Sequence, residues 1–200
     1  MDEPRPALIL GSTSPYRREL LERLRLPFSV IRPEVDETPL PGEAPADLAL
    51  RLALAKARAA ARIAGAQQAD PVVIGSDQVA DLHGQPLGKP GNHQRATEQL
   101  RQMRGRTVLF HTAVTLLRPA TRYEQTVMAT VTVRFRPLQD EEIERYLAAE
   151  QPYDCAGSAK AEALGITLLE GIESDDPTAL IGLPLIRTCA LLREAGLQLP

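Results

Sequence analysis

Three polar residues, Ser76, Asp77 and Gln78, follow a segment, residues 71–74, that has the apolar composition of a buried strand. Ligands of α/β proteins bind at the carboxyl ends of such strands. Asp77 is therefore the best candidate for a general base that accepts a proton from an attacking water, and it is also a candidate ligand of a divalent cation. The alternative is that Ser76 and Asp77 form an Asx-type turn that leads into a hairpin.

Two adjacent arginines, Arg17 and Arg18, lie in the first turn of a predicted helix, where the positive end of the helix dipole favours acidic residues. A bound polyanion would compensate for this unfavourable placement. The free N–H groups of residues 14–17, the hydroxyls of Ser12 and Ser14 and the two guanidinium groups would together form a phosphate cradle. The alternative is a pair of solvated arginines that form ion pairs with neighbouring glutamates.

Only three of the 23 cationic residues, Lys56, Lys89 and Lys160, are lysine, and the others are arginine. A lysine in such a chain indicates a place that needs a compact ammonium charge. Lys89 lies between Gly88 and Pro90, which would fix the backbone and aim the ammonium, although a surface lysine in a β-turn is the alternative. Lys56 lies in an alanine-rich helix, where a lysine usually extends its charged end into solvent.

The segment 34–47 contains five acidic residues and no basic residue, which is typical of an exposed loop with negative potential. Asp36 and Glu37 of this segment are candidate metal ligands together with Asp77, because carboxylate oxygens are the ligands that hard divalent cations prefer. The alternative is a solvated acidic loop.

Hydrophobic periodicity and capping signals place these residues on alternating strands and helices. The predicted strands cover residues 7–10, 28–31, 71–74, 107–117, 126–135 and 166–169, with a hairpin turn at 83–85. The predicted helices cover residues 15–24, 45–65, 92–104, 139–149 and 185–194. The two long strands form an antiparallel pair, because a short polar segment separates them. The predicted fold class is α/β, a single domain over residues 1–200 with a mixed β-sheet flanked by helices.

Length and composition favour one globular domain, since the chain has 200 residues, of which 44% are hydrophobic and 24% charged. The net charge of −3 argues against bulk binding to nucleic acid or to an anionic membrane. No segment approaches the ~18 apolar residues of a membrane-spanning helix, and residues 1–6 do not have the pattern of a signal peptide. Cys155 and Cys189 form no disulfide or metal pattern. We therefore expect reduced cysteines and a cytoplasmic location.

Seven short segments match one known family in order and spacing. They are residues 8–18, 34–37, 52–57, 74–78, 88–90, 156–158 and 181–184. Each segment alone is a weak signal, but together they span nearly the whole chain. With these segments the sequence resembles the Maf family of nucleoside triphosphate pyrophosphatases, and the resemblance implies a Maf or ITPase-like fold.

The resemblance also implies a reaction, a cofactor and partners. The reaction is cleavage of the phosphoanhydride between the α- and β-phosphates, which gives a nucleoside monophosphate and pyrophosphate. The implied cofactor is a divalent metal cation, Mg²⁺ or Mn²⁺, and the implied partner is a nucleoside triphosphate. The expectation of no nucleic-acid and no membrane partner comes from the net charge and from the lack of a long apolar segment. The implied biological role is the removal of non-standard nucleotides or the arrest of cell division, and family members are often homodimers.

The resemblance carries the family's functional positions onto residues of this chain. Asp77 matches the general base, and Asp36 and Glu37 match the acidic loop and are tentative metal ligands with Asp77. The residues that match phosphate-binding positions are Ser12, Arg17, Lys56 and Lys89.

Tyr16, Gln78 and Glu162 match the branch of the family that hydrolyses 7-methyl-GTP. The branch that hydrolyses dTTP and UTP has Arg, Thr and Gln at these positions. A methyl group on N7 gives guanine a positive charge, so a tyrosine ring on its face and a carboxylate at its edge would both favour it over ordinary guanine. The sequence has Ala163 and Leu164 where the family commonly has a glycine and an aromatic residue, which restricts the backbone beside Glu162 and removes an apolar ring.

Two alternatives to a 7-methyl-GTP pyrophosphatase are open. One is a pyrophosphatase for dTTP, UTP or another non-canonical triphosphate. The other is a nucleotide-binding regulator of septum formation with little turnover, in which the same cradle holds a triphosphate as a signal. Asp77 together with Lys89 favours catalysis, because a site that only binds a nucleotide needs no base.

Overall fold

The computed structural model describes residues 6–66, 68 and 70–199, which form seven strands and five α-helices. The strands are β1 (Ala7–Gly11), β2 (Phe28–Ile31), β3 (Pro71–Leu82), β4 (Gln85–Leu87), β5 (Thr107–Arg118), β6 (Tyr123–Phe135) and β7 (Leu169–Glu173). The helices are α1 (Pro15–Glu22), α2 (Pro45–Gly65), α3 (His93–Met103), α4 (Asp140–Glu150) and α5 (Leu185–Glu194). The prediction of no signal peptide in residues 1–6 falls almost wholly outside the described residues.

The strands form one mixed sheet in the order β2-β1-β3-β5-β6-β7, and β4 pairs with the far end of β3. Strand β1 pairs in parallel with β2 and with β3, and the other pairs are antiparallel. The predicted α/β class with a mixed sheet flanked by helices is confirmed, and β2, α2 and α5 have the predicted bounds. Within the described ranges, no helix is both long enough and apolar enough to cross a membrane.

Strand β3 is longer than predicted and contains the candidate base. Its first part pairs in parallel with β1, and from Val73 to Asp81 it pairs with β5. The polar residues 76–78 predict the end of a strand, but the ladder with β5 continues to satisfy their backbone groups, so the alternative of a turn there is wrong. Asp77 still lies just beyond the carboxyl end of β1, because β3 continues after β1 has ended.

Helix α2 lies directly against β3 because small residues meet at the contact. A side chain at Gly75 would place its Cβ 2.4 Å from Ala53 O and 2.4 Å from Ala57 N of α2. Both alanines are fully buried. This close approach brings Lys56, the residue before Ala57, up to Asp77.

The other face of the parallel strands is covered by apolar residues of α1 and α5, and α3 and α4 pack against β5 and β6. Successive side chains of a strand point to opposite faces of the sheet. Asp77 therefore faces α2, whereas Ser76 and Gln78 face the segment that precedes α5. The polar part of β3 thus contributes to the site from both faces.

The predicted strand at 166–169 is wrong. Residues Leu164–Leu168 form a 3-10 helix, and β7 follows it on the edge of the sheet. Thr167 Oγ1 donates to Leu164 O at 2.8 Å and stabilises this turn. A short apolar segment fits a strand or a tight turn equally well, so periodicity does not distinguish the two.

Candidate functional site

A large cleft opens at the carboxyl end of β1, and its volume is about 830 Å³. This volume is within the usual range for small-molecule sites. Most of the site residues predicted from the sequence line the cleft: Ser12, Tyr16, Arg17, Glu37, Lys56, Asp77, Gln78, Lys89 and Glu162. Asp36 is not among the lining residues.

Asp77 and Lys56 form an ion pair deep in the cleft. Lys56 Nζ lies 2.6 Å from Asp77 Oδ1, and each residue is only 7% exposed. The expectation that Lys56 extends into solvent is wrong, because α2 lies so close to β3 that the ammonium meets the carboxylate before it reaches the surface. Among the described residues, no donor bonds the second oxygen, Oδ2, which leaves this atom for a water.

Glu37 brings a second carboxylate to the same ammonium. Lys56 Nζ lies 2.6 Å from Glu37 Oε1, and the Glu37 side chain is 60% exposed. Partial burial opposes ionisation, but the hydrogen bond and charge of Lys56, together with two further cations, outweigh it and lower the pKa of Glu37 below its ordinary value. The ammonium of Lys56 is therefore held between two carboxylates.

Asp36 lies outside this arrangement. Its Oδ1 accepts the N–H of Thr38 at 2.9 Å, and hydrogen bonds with Thr38 lower the pKa of Asp36. In the part of the chain that the structure describes, no three or more His, Cys, Asp or Glu side chains are arranged to hold a metal ion. Glu37 and Asp77 nevertheless fit a cation such as Mg²⁺, which commonly takes one or two carboxylates and completes its shell with substrate phosphates and water.

The N-terminus of α1 is capped by its own hydroxyls. Ser14 Oγ accepts the N–H of Arg17 at 3.4 Å, and Ser12 Oγ accepts the N–H of Ser14 at 3.1 Å. Pro15 has no N–H, so the predicted cradle of free N–H groups over residues 14–17 is largely wrong, because the serines already satisfy two of its donors. Ser12 itself lines the cleft and is 5% exposed.

Arg17 and Arg18 have different surroundings. Arg17 lines the cleft, and its Nε donates to Gly182 O at 2.8 Å. Burial lowers the pKa of Arg17, and the two carboxylates that hold Lys56 act in the opposite direction. Arg18 is exposed and pairs with Glu22 at 3.0 Å. The expected solvated ion pair therefore holds for Arg18 alone, and Arg17 is the arginine in position for an anion.

Backbone carbonyls of the segment before α5 position several site residues. Gln78 Nε2 donates to Ala179 O at 2.9 Å and to Leu180 O at 3.0 Å. Both partners are acceptors, so the amide nitrogen must face them, and Oε1 is the group left for a ligand. The carbonyl of Gly182 in the same segment holds Arg17. The sequence pattern missed these carbonyls, although the matching segment 181–184 is the signal that points to this region.

Tyr16 and Glu162 lie in another part of the cleft. Tyr16 OH donates to Asp154 Oδ2 at 3.3 Å and lies 3.8 Å from Cys155 Sγ. Partial burial raises the pKa of Tyr16. Partial burial also raises the pKa of Glu162, although the positive charge of Lys160 acts to lower it. The sequence pattern missed Asp154 and Cys155, which line the cleft and directly precede the matching segment 156–158.

Two exposed cations complete the lining. Lys89 lies just after the β3-β4 hairpin, and its charge is one of those that lower the pKa of Glu37. Arg32, which the sequence pattern did not single out, lies directly after β2 and also lines the cleft. Its place at the carboxyl end of a parallel strand is the signal that identifies it.

Ala163 and Leu164, the two residues that differ from the common pattern of the family, do not line the cleft. Ala163 has a φ of −132° and a ψ of −142°, so its backbone does not require the freedom of a glycine. Leu164 is 41% exposed and lines a separate, smaller cavity. The missing aromatic ring therefore removes no surface from the cleft.

The structure is that of an α/β protein with a mixed sheet and a cleft of small-molecule size at the carboxyl end of its parallel strands. The sequence profile of the family described as Maf-like protein matches residues 7–195. The chain belongs to the Maf family.

Several curated relatives are similar over nearly their whole length. A Polaromonas protein named 7-methyl-GTP pyrophosphatase is 67% identical over 96% of this chain and 86% of its own. Proteins with the same name from Albidiferax ferrireducens and Cupriavidus metallidurans are 61% and 59% identical, over 99% and 97% of this chain and 98% and 96% of their own. A solved nucleoside-triphosphatase / dITP/XTP pyrophosphatase from Mycobacterium abscessus covers 96% of this chain and 98% of its own, with 17% identity and a TM-score of 0.46, a similarity that carries no conclusion.

Proposed function

We propose that the protein is a nucleoside triphosphate pyrophosphatase that hydrolyses 7-methyl-GTP to 7-methyl-GMP and pyrophosphate. The observation that supports this most is the division of charge within the cleft. In one part of the cleft lining, three cations, Lys56, Arg17 and Lys89, lie near the carboxylates of Glu37 and Asp77. In the part of the lining near Tyr16, the charged side chains are the carboxylates Asp154 and Glu162. A triphosphate that carries a cationic base has the complementary division of charge. The relatives named 7-methyl-GTP pyrophosphatase support the same substrate.

The triphosphate is proposed to bind beside Arg17, Lys89 and Ser12. The guanidinium fork of Arg17 suits phosphate oxygens, and its bond to Gly182 O fixes its direction. Lys89 adds an ammonium to the cleft lining, and Ser12 adds a hydroxyl. Arg17 and Ser12 are positioned before the ligand arrives, by Gly182 O and by Ser14 N–H, which reduces the entropy lost on binding.

Asp77 is proposed as the general base. Lys56 holds Oδ1, and Oδ2 takes the proton of a water. The carboxylate is fixed on a central strand of the sheet. A water that is hydrogen-bonded to it would therefore be held in one orientation, toward the anhydride between the α- and β-phosphates. A new P–O bond to the water oxygen forms as the bridging P–O bond breaks, and pyrophosphate leaves.

A divalent cation, Mg²⁺ or Mn²⁺, is part of this proposal. Glu37 and Asp77 are the residues that would hold it, and Asp36 is not included because it lies outside the cleft. When bound, the cation would screen the negative charge of the scissile bridge. Lys56 then keeps the two carboxylates near each other, since its ammonium bonds both.

The base is proposed to bind between Tyr16, Gln78 and Glu162. The ring of Tyr16 attracts a cationic guanine on its face, and the carboxylate of Glu162 favours the same charge. Gln78 Oε1 is fixed as an acceptor and suits the N–H groups of a guanine edge. The three side chains together would distinguish 7-methylguanine from ordinary bases.

The test is product release from 7-methyl-GTP, GTP, UTP, dTTP and ITP with Mg²⁺ and with Mn²⁺, with pyrophosphate and orthophosphate measured separately. We expect 7-methyl-GTP to have the highest kcat/KM and pyrophosphate to be released in equal amount to 7-methyl-GMP. Preference for another triphosphate would contradict the assignment of the base, and orthophosphate as the product would contradict the chemistry. Tight binding without any release would indicate the regulator of septum formation.

The cytoplasmic location, the homodimer and the lack of nucleic-acid and membrane partners stay predictions. The role in removing non-standard nucleotides is proposed with the activity, because hydrolysis to a monophosphate withdraws a modified nucleotide from the triphosphate pool.

A further inference from the structure

We propose that Lys160 is a positioning residue for base recognition, which braces the ring of Tyr16 and closes the turn that carries Glu162. This rests on the proposed function, since it assigns the same part of the cleft to the base. Lys160 does not itself line the cleft. It therefore acts through two residues that do.

The ammonium of Lys160 lies over the ring of Tyr16. Its Nζ lies 5.3 Å from the centroid of the Tyr16 ring, which is within the range of a cation–π interaction. Glu150 Oε1 holds the same ammonium at 3.2 Å, and this bond raises the pKa of Lys160. Tyr16 lines the cleft and Lys160 does not, so the ammonium meets the ring from outside the cleft lining. The ammonium thus fixes the ring without occupying the space for a base.

The backbone of Lys160 closes the turn around Glu162. Lys160 O accepts the N–H of Ala163 at 3.0 Å and that of Gly165 at 3.1 Å, while Lys160 N–H donates to Tyr146 OH at 3.1 Å. A Cβ at Gly165 would lie 2.6 Å from both Lys160 N and Lys160 O. The turn can close this tightly because residue 165 is glycine.

These contacts tie together two parts of the chain that are far apart in sequence. Tyr16 is on α1, and Glu162 is on an irregular segment between α4 and β7. Without the ammonium, only the hydroxyl of Tyr16 would still be held, by Asp154. The nucleotide would then have to restrict the remaining motion of the ring, which weakens binding. Asp77 and the phosphate-binding residues make no contact with Lys160, so we expect KM to rise and kcat to stay nearly unchanged.

The experiment is a double-mutant cycle of Lys160→Met and Tyr16→Leu, with kcat and KM measured on 7-methyl-GTP. Methionine keeps the length of the side chain and removes the ammonium. We expect Lys160→Met to raise KM about twofold to fivefold. The double variant should have the KM of Tyr16→Leu alone, because the ring that Lys160 braces is already gone. Lys160→Arg should restore KM, since arginine also stacks on aromatic rings and pairs with carboxylates.

A matched control is Arg62→Met, which removes an exposed cation from the last turn of α2. Arg62→Met should leave KM unchanged. A rise in KM as large as that of Lys160→Met would show that the loss of any positive charge raises KM, and would contradict a specific role for Lys160. Additive effects in the cycle, a fall in kcat of the same size, or no restoration by arginine would overturn the role of Lys160. If the wild type does not hydrolyse 7-methyl-GTP, the proposed function is wrong. In that case, the Kd of the same four proteins is measured for whichever of GTP, UTP, dTTP and ITP binds the wild type best, and the same pattern of Kd values is expected.

Discussion

Replacing Lys56 by methionine should destabilise the folded protein, because two carboxylates lose the ammonium that they share. Lys56 Nζ lies 2.6 Å from Asp77 Oδ1 and 2.6 Å from Glu37 Oε1. The Asp77 side chain is 10% exposed and that of Glu37 is 60% exposed. Methionine is similar to lysine in length and adapts to the shape of its surroundings. The substitution therefore removes the charge and leaves most of the packing.

The size of the effect follows from the burial of Asp77. Removal of one partner from a buried ion pair costs about 3–5 kcal/mol. The cleft admits water to the second oxygen of Asp77, and exposed Glu37 adds less than about 1 kcal/mol, so we expect a loss of about 3 kcal/mol. For a chain of this size, each kcal/mol lowers the Tm by about 2–4 °C, so the expected decrease in Tm is roughly 6–12 °C.

Thermal and urea unfolding of wild type and variant at pH 7 measures this loss. The control is the double variant Lys56→Met with Asp77→Asn, in which the buried charge is absent. It should recover most of the lost stability, because the cost arises from an unpaired buried carboxylate and not from lost packing. An unchanged Tm in Lys56→Met, or no recovery in the double variant, would refute this reasoning.

Three further predictions concern single residues. Arg17→Lys should lower kcat/KM for 7-methyl-GTP by about tenfold or more, because a point charge replaces a guanidinium fork that binds phosphate, whereas Arg18→Lys should leave it unchanged. Equal losses in steady-state kinetics would contradict the different surroundings of the two arginines. Glu162→Gln should reduce the preference for 7-methyl-GTP over GTP. In the wild type this preference should fall as the pH decreases through the raised pKa of Glu162, which lies above that of an ordinary glutamate, and a ratio independent of pH would contradict a role for the carboxylate. Gly75→Ala should reduce the free energy of unfolding by about 3 kcal/mol, because its Cβ would lie 2.4 Å from the backbone of α2. Gly65→Ala, where a Cβ meets nothing within 4 Å, should be neutral or stabilising in the same urea titration.

The matching segments are dispersed along the chain, yet the site residues predicted from them line one cleft, with the exception of Asp36. The bounds of α2, α5 and β2 were also predictable, because strong periodicity and clear end signals mark them. The length of strand β3 was not predictable, because its polar residues resemble the end of a strand. Only the ladder with β5 shows that the strand continues. Pairing between distant segments is not visible in local sequence patterns.

The environment of Lys56 shows a second limit of sequence patterns. Lys56 lies three and four residues after Ala53 and Leu52, both buried, so helical spacing places it on the buried face of α2. This signal was available, but spacing gives the face and not the distance to the next element. That distance depends on Gly75, which lets α2 approach β3 closely enough for the ammonium to meet Asp77.

Backbone groups are a third limit. The carbonyls of Ala179, Leu180 and Gly182 orient Gln78 and Arg17, but every residue carries a carbonyl, so residue type does not identify those that bind. The serine caps at the start of α1 had the opposite effect, because side chains that suit a helix cap satisfied N–H groups that the predicted cradle required.

The most direct test of the proposed mechanism compares nucleotide binding and turnover in Asp77→Asn. Asparagine keeps the shape of the side chain but does not accept a proton from water. We predict that the Kd for 7-methyl-GTP, measured without a divalent cation, stays nearly unchanged, because Arg17 and Lys89 still bind the triphosphate. With Mg²⁺ or Mn²⁺ present, kcat should fall by about a hundredfold or more. Retained turnover, or a loss of binding as large as the loss of turnover, would contradict Asp77 as the general base.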